Sequence, residues 1–355
     1  MARETSPHSL LAEGYLANAT LAMGLSVPQA MLIIVVSRIL IALFSTLVAW
    51  IGLTWHIGFT VQNRYSWGMR GSYIPLLMRI LLNFIWNAVQ CRSQPSRSFR
   101  LPKMLRCLGW NGGRLLAVCM TALWPSFARM KNTFGPEMPT TTDQFVGFVV
   151  FWFLSTPFLW LRPEKFRIPF LIMCIWCGTG MLAWMIWALS VAKGVGPVWN
   201  SGQKLPDGSP FGASWLIMAG INQGIGGLAA GITNGSDFSR YAKARRSYVI
   251  STITSCLVTG VLVSLIGLVT AAASQKIYDE LYWNPPDLLM RMMENGNGSS
   301  KARAGVFFLA AGFAFTAMFE NICGNTIAGG IDLAGLFPRY IGMSVSENHR
   351  GEHCC

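Results

Sequence analysis

Glu320, Asn321 and Asn325 are the side chains most out of keeping with their surroundings in this sequence. They lie inside AGVFFLAAGFAFTAMFENICGNTIAGGIDLAGLF (304–337), whose first half is apolar enough to cross much of a bilayer. At helical spacing Glu320, Asn321, Gly324 and Asn325 share one face. An ionisable group at membrane depth costs on the order of 3 kcal/mol or more, so it faces protein, water or a ligand. The patch therefore reads either as polar glue between two helices or as a site for a substrate or coupling ion. A second polar stripe runs through Ile74 to Gln90. Asn83, Asn87 and Gln90 recur there at helical spacing, with Trp86 beside them.

The other reactive residues point away from catalysis. The four histidines (His8, His56, His349 and His353) lie near the chain ends or in a connector, and no HExxH pattern occurs, so an intramembrane enzyme is not expected. Cys174 and Cys177 form a CxxC inside an apolar run, where zinc or redox chemistry is not expected, and the nine cysteines show no metal spacing. No cofactor is expected. Cys354 and Cys355 end the chain as possible palmitoylation sites with no supporting signal.

The elements that must hold these residues are membrane helices. The chain of 355 residues is 52% hydrophobic and only 12% charged, about half the charged fraction of soluble domains, with a mean hydropathy of +0.43. Several runs reach the ~20 apolar residues that span a bilayer. The fold class is an all-α polytopic membrane protein. The net charge of +13 does not imply nucleic acid, because Lys and Arg lie mostly between apolar spans.

In order, Leu10 to Leu25 is a weak, interrupted half-span, and Ala30 to Trp55 is a clear one. His56 to Tyr73 is a polar connector. The next helix starts at Ile74 and fails at CRSQPSRSFRLPKMLRCL (91–108), which holds five basic residues, two prolines and no acid. Apolar character resumes at Gly109 and runs to Trp124. The segment 91–108 reads as an insertion, such as retained intron sequence, inside a single third helix. The alternative is a basic interfacial loop between two half-helices. Gln144 to Leu161 and Ile168 to Ala192 are further spans. Ser214 to Asn234 is apolar but carries Gly220, Gly224, Gly226, Gly227 and Gly231. Glycine at this density weakens a helix. It marks either a broken helix that frees backbone groups for a ligand or small-residue packing. Tyr248 to Ala273 is a span, Lys276 to Arg303 a polar loop, and 304–337 the last span. Eight spans are expected in one transmembrane domain over 1–341, with a polar tail over 342–355. Basic loops follow spans two, four and six, which places them and both termini in the cytoplasm. The short polar N-terminus shows no cleavable signal peptide.

Several motifs together resemble the nucleobase–cation symport-1 transporters, in particular fungal permeases for allantoin, uracil and uridine. They are AMGLSVPQA (22–30), WHIGFTVQNRYSWGMRGSYIP (55–75), WNAVQ (86–90), GWNGGRLLAVCMTALWPSF (109–127), NGSDFSRYAK (234–243), YWNPPDLL (282–289) and DLAGLFPRYI (332–341). The resemblance runs from about Leu21 to Ile341, with the 109–127 motif continuing the helix that carries WNAVQ. It implies a twelve-helix fold with ten helices in two inverted five-helix repeats, of which this chain would hold part. The site would lie at the midplane between broken helices one and six and helices three and eight. Carried over by position, Trp86 stacks on the flat ring, and Gln90 and Asn325 hydrogen-bond its polar edge. One aromatic plate and two amides match a neutral planar ring with several amide groups.

The resemblance also carries departures. The second aromatic plate falls at about Leu228, after Gly227. In sodium-coupled members the eighth helix offers small hydroxyl residues, where this chain has about Phe319 and Glu320. Phenylalanine cannot ligate sodium, whereas a buried glutamate can carry a proton. The resemblance implies a proton-coupled permease of the plasma membrane with Glu320 as the coupling candidate. Spans nine to twelve are not represented. A truncated relative that senses ligand or partners a full-length permease is the alternative.

Overall fold

The computed structural model describes residues 20–21, 23–91, 111–134, 141–160, 166–201 and 213–337. Most of the weak first segment, nearly all of the basic stretch 91–108 and the tail after 337 lie outside the described residues. Among the described residues there is no strand.

Helix α1 (Val27–Trp55) begins where the Ser26 backbone N–H donates to Gln29 Oε1 at 3.0 Å, with a proline in its first turn. It ends at His56, which adopts a left-handed conformation (φ 54°). The polar connector expected after it is itself helical: α2 (Phe59–Gly71) leads into α3 (Tyr73–Cys91). Helix α4 (Asn111–Leu123) resumes after the basic stretch. Arg303 caps its C-terminal end, donating to the carbonyls of Ala122 (2.8 Å) and Leu123 (2.7 Å), which have no partner within a helix. Arg114, near its start, pairs with Asp287. Helix α5 (Thr142–Ser155) continues in a 3-10 turn to Trp160, and α6 (Arg167–Ala192) follows.

The glycine-rich segment is broken. Helix α7 (Ala213–Gly227) stops at Leu228 (φ −109°, ψ 7°), and the short helices α8 (Ala229–Thr233) and α9 (Gly235–Ser239) follow. The glycines divide between the two expected roles. A Cβ on Gly220 would lie 3.0 Å from Ile33, and one on Gly224 would lie 2.7 Å from Ser37 Oγ, so these two let α1 approach. Gly226 and Gly231 face open space. Helix α10 (Arg245–Thr254) passes through a π turn (Ser255–Thr259) into α11 (Gly260–Tyr278). The expected polar loop contains an amphipathic helix, α12 (Pro285–Asn295). Helix α13 (Ser300–Asn321) then enters a second π turn (Ile322–Ile327) and leaves it as α14 (Ala328–Leu336).

Five of these helical runs are long and apolar enough to cross a membrane: 27–55, 142–159, 168–192, 245–278 and 300–336. Two shorter apolar stretches, Tyr73–Asn83 and Gly112–Leu123, belong to α3 and α4. Leu32, Ile39, Leu43 and Trp50 of α1 and Ile168, Leu171 and Ile175 of α6 are exposed, as expected where lipid is the solvent. The main core joins α4, α5, α6, α12 and α13. At its centre Phe319 is fully buried, with the rings of Phe158, Phe166, Phe170 and Phe315 at 4.8–6.2 Å.

Candidate functional site

Two irregular elements meet α3 in one region. The π turn of the last span packs against α3 and α8, and α8 packs against α3. Each has a local cause. Gly226, Gly227 and Gly231 weaken the sixth segment, and a π turn spends one extra residue to re-aim the side chains after it.

Within the π turn Asn325 is buried and donates through Nδ2 to Asn321 Oδ1 at 2.9 Å. The backbone carbonyl of Gly324 accepts from Asn234 Nδ2 at 2.9 Å, tying the last span to the broken segment. The expected face is therefore split. Asn321 and Asn325 stay together, Gly324 turns its carbonyl toward Asn234, and the half-buried Glu320 lies within electrostatic reach of Cys174 and Cys177 on α6. Gly227 is half-buried at the break. Leu228 is buried against Ile41 and Ala42 of α1 and Cys256 of the other π turn. Trp86 and Gln90 lie in the last two turns of α3, and their side chains lie outside the described residues.

A buried ionic cluster flanks this region, and the sequence reading passed over it. Arg79 of α3 donates through Nη2 to Asp237 Oδ2 and through Nε to Asp332 Oδ2, each at 2.5 Å, and through Nη1 to the Thr233 carbonyl at 3.0 Å. All three charged side chains are within 3% of full burial. Phe59 N–H donates to Asp237 Oδ1 at 2.9 Å, the Thr60 hydroxyl reaches Asp332 Oδ1 at 3.4 Å, and the Arg79 guanidinium lies 3.9 Å over the Phe59 ring. Ion pairs taken out of water hold only when their remaining hydrogen-bonding capacity is met, and here the backbone and a hydroxyl meet much of it. The cluster ties α2, α3, α8–α9 and α14 together. Arg64 adds a bond to the Gly335 carbonyl at 2.5 Å. The readable signal was spacing, since Arg79 sits one turn before Asn83 in the same polar stripe.

A groove of about 840 Å³ lies elsewhere, between α6 and α13, lined by Trp176, Trp184, Trp187, Phe308 and Leu309. Its lining is mostly apolar and suits lipid better than a polar ring.

A sequence profile described as permease for cytosine/purines, uracil, thiamine and allantoin matches residues 12–94 and 104–347. The chain belongs to this permease family. It is 30% identical to an uncharacterized permease of Schizosaccharomyces pombe, over 92% of this chain and 52% of the relative. It is 28% identical to the nicotinamide riboside transporter 1 of Saccharomyces cerevisiae, over 91% and 51% respectively. With the uridine permease of Saccharomyces cerevisiae it shares 28% identity over 94% of this chain and 49% of that one. The chain spans about half the length of the curated relatives it matches. Its fold resembles a nucleobase-cation-symport-1 family transporter solved in a closed conformation with bromovinylhydantoin bound. The TM-score is 0.57 at 20% identity, covering 94% of this chain and 67% of that one. This permease is an integral membrane protein of a transporter family, and its relatives are transporters rather than enzymes.

Proposed function

We propose that this permease is a secondary active transporter for a nucleobase or related compound, such as uracil, allantoin or uridine. It works by alternating access and is driven by protons. The observation that carries the reading is the meeting of α3, the broken segment at Leu228 and the π turn bearing Asn325, tied by the Asn234–Gly324 bond. Breaks of this kind free polar backbone and amide groups inside a membrane protein, where they serve a ligand. Trp86 provides the plate, Gln90 and Asn325 read the ring's polar edge, and Gly227 and Leu228 shape the opposite wall. The helices belong to part of a 5+5 inverted repeat with about eight spans, residues 91–108 interrupt the third, and both termini face the cytoplasm of a plasma-membrane protein.

Glu320 is the proton-coupling candidate, because it is a half-buried carboxylate in the last span, where an ionisable group must face protein, water or a ligand. The Arg79 cluster offers a second place for the proton. Asp237 and Asp332 share one guanidinium in direct contact there, with Arg240, stacked on Tyr241, at the rim. Uptake in cells lacking their own permeases tests both candidates. If protons couple through Glu320, Glu320→Gln uptake loses its dependence on the proton gradient, while Asp332→Asn retains it. Full gradient dependence in Glu320→Gln removes Glu320 from the role.

A further inference from the structure

One end of the molecule presents charge of a single sign. Arg70 lies in the last turn of α2, and Arg240, Lys243, Arg245 and Arg246 run from the end of α9 into α10. The two stretches adjoin. His56 Nδ1 lies 2.9 Å from the Arg240 carbonyl, and a Cβ on Gly58 would lie 3.0 Å from Arg240 Nη1. No carboxylate occurs in 55–75, and Asp237 alone occurs in 234–250. Asp237 is buried and held by Arg79. Arg70, Lys243, Arg245 and Arg246 are exposed and form no ion pair among the described residues. Beyond the other end of the 245–278 span the charges are mixed, with Arg291 paired to Glu294 and Arg114 to Asp287. Exposed aromatic rings accompany the cations. Tyr65 is 91% exposed, and Trp55, Trp67, Tyr73 and Tyr241 are exposed with it. Gly68, at φ 73°, breaks α2 between Trp67 and Met69, and both of those side chains stay uncovered.

We propose that this surface binds the headgroups of anionic phospholipids, with Arg70, Lys243, Arg245 and Arg246 on the lipid anions and Tyr65 and Trp67 set between the lipids. The level is that of headgroups, because the apolar run 27–55 ends here and the run 245–278 begins here. Tyrosine, tryptophan and basic side chains together are the set that settles at a membrane–water interface. That set favours lipid over an acidic soluble partner, which would need no ring of exposed aromatics. The sidedness rests on the reading above that places the basic loops in the cytoplasm, where the leaflet carries the anionic lipid. Each basic residue near such a surface strengthens binding about fivefold. The surface also abuts the buried ionic cluster. Phe59, at the start of α2, donates to Asp237, three residues before Arg240. Lipid bridging Arg70 to the 243–246 stretch therefore holds α2 against α9, where Arg79 ties both to α14.

The test is the melting temperature of the purified full chain in nanodiscs of phosphatidylcholine, with and without added phosphatidylserine. Phosphatidylserine should raise it by several degrees at low salt. The rise should vanish near 1 M salt, where the screening length falls to ~3 Å. Arg70→Gln/Lys243→Gln/Arg245→Gln/Arg246→Gln should lose the rise, and Arg245→Gln/Arg246→Gln should lose about half of it. Arg70→Lys/Arg245→Lys/Arg246→Lys keeps the charge and should keep the rise, as should Lys193→Gln/Lys301→Gln at the other end of the spans. Each variant is compared with itself in the two lipids, so a change in its basal stability does not enter. No rise in the wild type, a full rise in the neutral variants, or an equal rise when inorganic phosphate or soluble polyglutamate is added to phosphatidylcholine nanodiscs would overturn the proposal. Nanodiscs present both leaflets alike, so none of these outcomes depends on which end faces the cytoplasm or on what is transported.

Discussion

Arg79 holds two carboxylates, and its position decides what a substitution there does. Arg79→Met leaves Asp237 and Asp332 buried without their cation, and breaking such a group by removing one partner costs about 3–5 kcal/mol. The expected outcome is loss of monodisperse protein in detergent and a lowered melting temperature. The triple variant Arg79→Met/Asp237→Asn/Asp332→Asn should recover much of the loss, because no unpaired charge remains. If the triple variant is no better than the single one, the damage comes from lost packing over Phe59 rather than from charge. At this scale the sequence was only half legible. Asn325 and Glu320 stand out against an apolar background, but residues 79, 237 and 332 meet only after three distant segments have packed. Phe319 shows the converse. It looked like part of an apolar run, and the structure makes it the centre of a buried cluster of five aromatic rings.

The elements divide their glycines by function, and substitution separates the classes. A Cβ on Gly52 would lie 2.2 Å from Ser239 Oγ and 2.6 Å from the Ser236 carbonyl, where α1 meets α9. The Ser239 hydroxyl also bonds the Ala49 carbonyl at 2.9 Å. Gly52→Ala should therefore destabilise by about 1–3 kcal/mol through forced separation of the two elements. Gly226→Ala and Gly231→Ala meet no atom and carry no such clash. Each favours a continuous helix by about 1 kcal/mol, so thermal stability should hold or rise while any movement that needs the break slows. Melting curves of the three variants check the division. The break was readable from glycine density alone. The division was not, because it depends on which face α1 covers. The two π turns were likewise invisible, since an extra residue in a turn leaves no periodic mark over so short a stretch. The connector and polar loop that proved helical, α2 and α12, lack the apolar length that marks a span.

For the whole molecule, the apolar content and low charge predicted a helical membrane protein, and the order of motifs predicted the permease family; both hold. What a single chain cannot display is contrast between substrates, because relatives of one architecture differ by a few side chains in one pocket. The chain spans about half the length of those relatives, so movement of one half of the fold against the other is the claim most in need of trial. The direct measurement is uptake of radiolabelled uracil, uridine, allantoin and thiamine by cells lacking their own permeases, expressing this chain or its Trp86→Ala variant. Saturable uptake of at least one compound is expected, collapsing with the proton gradient and in Trp86→Ala. Binding of a compound without uptake of any would contradict it and point to a ligand sensor or a partner of a longer permease.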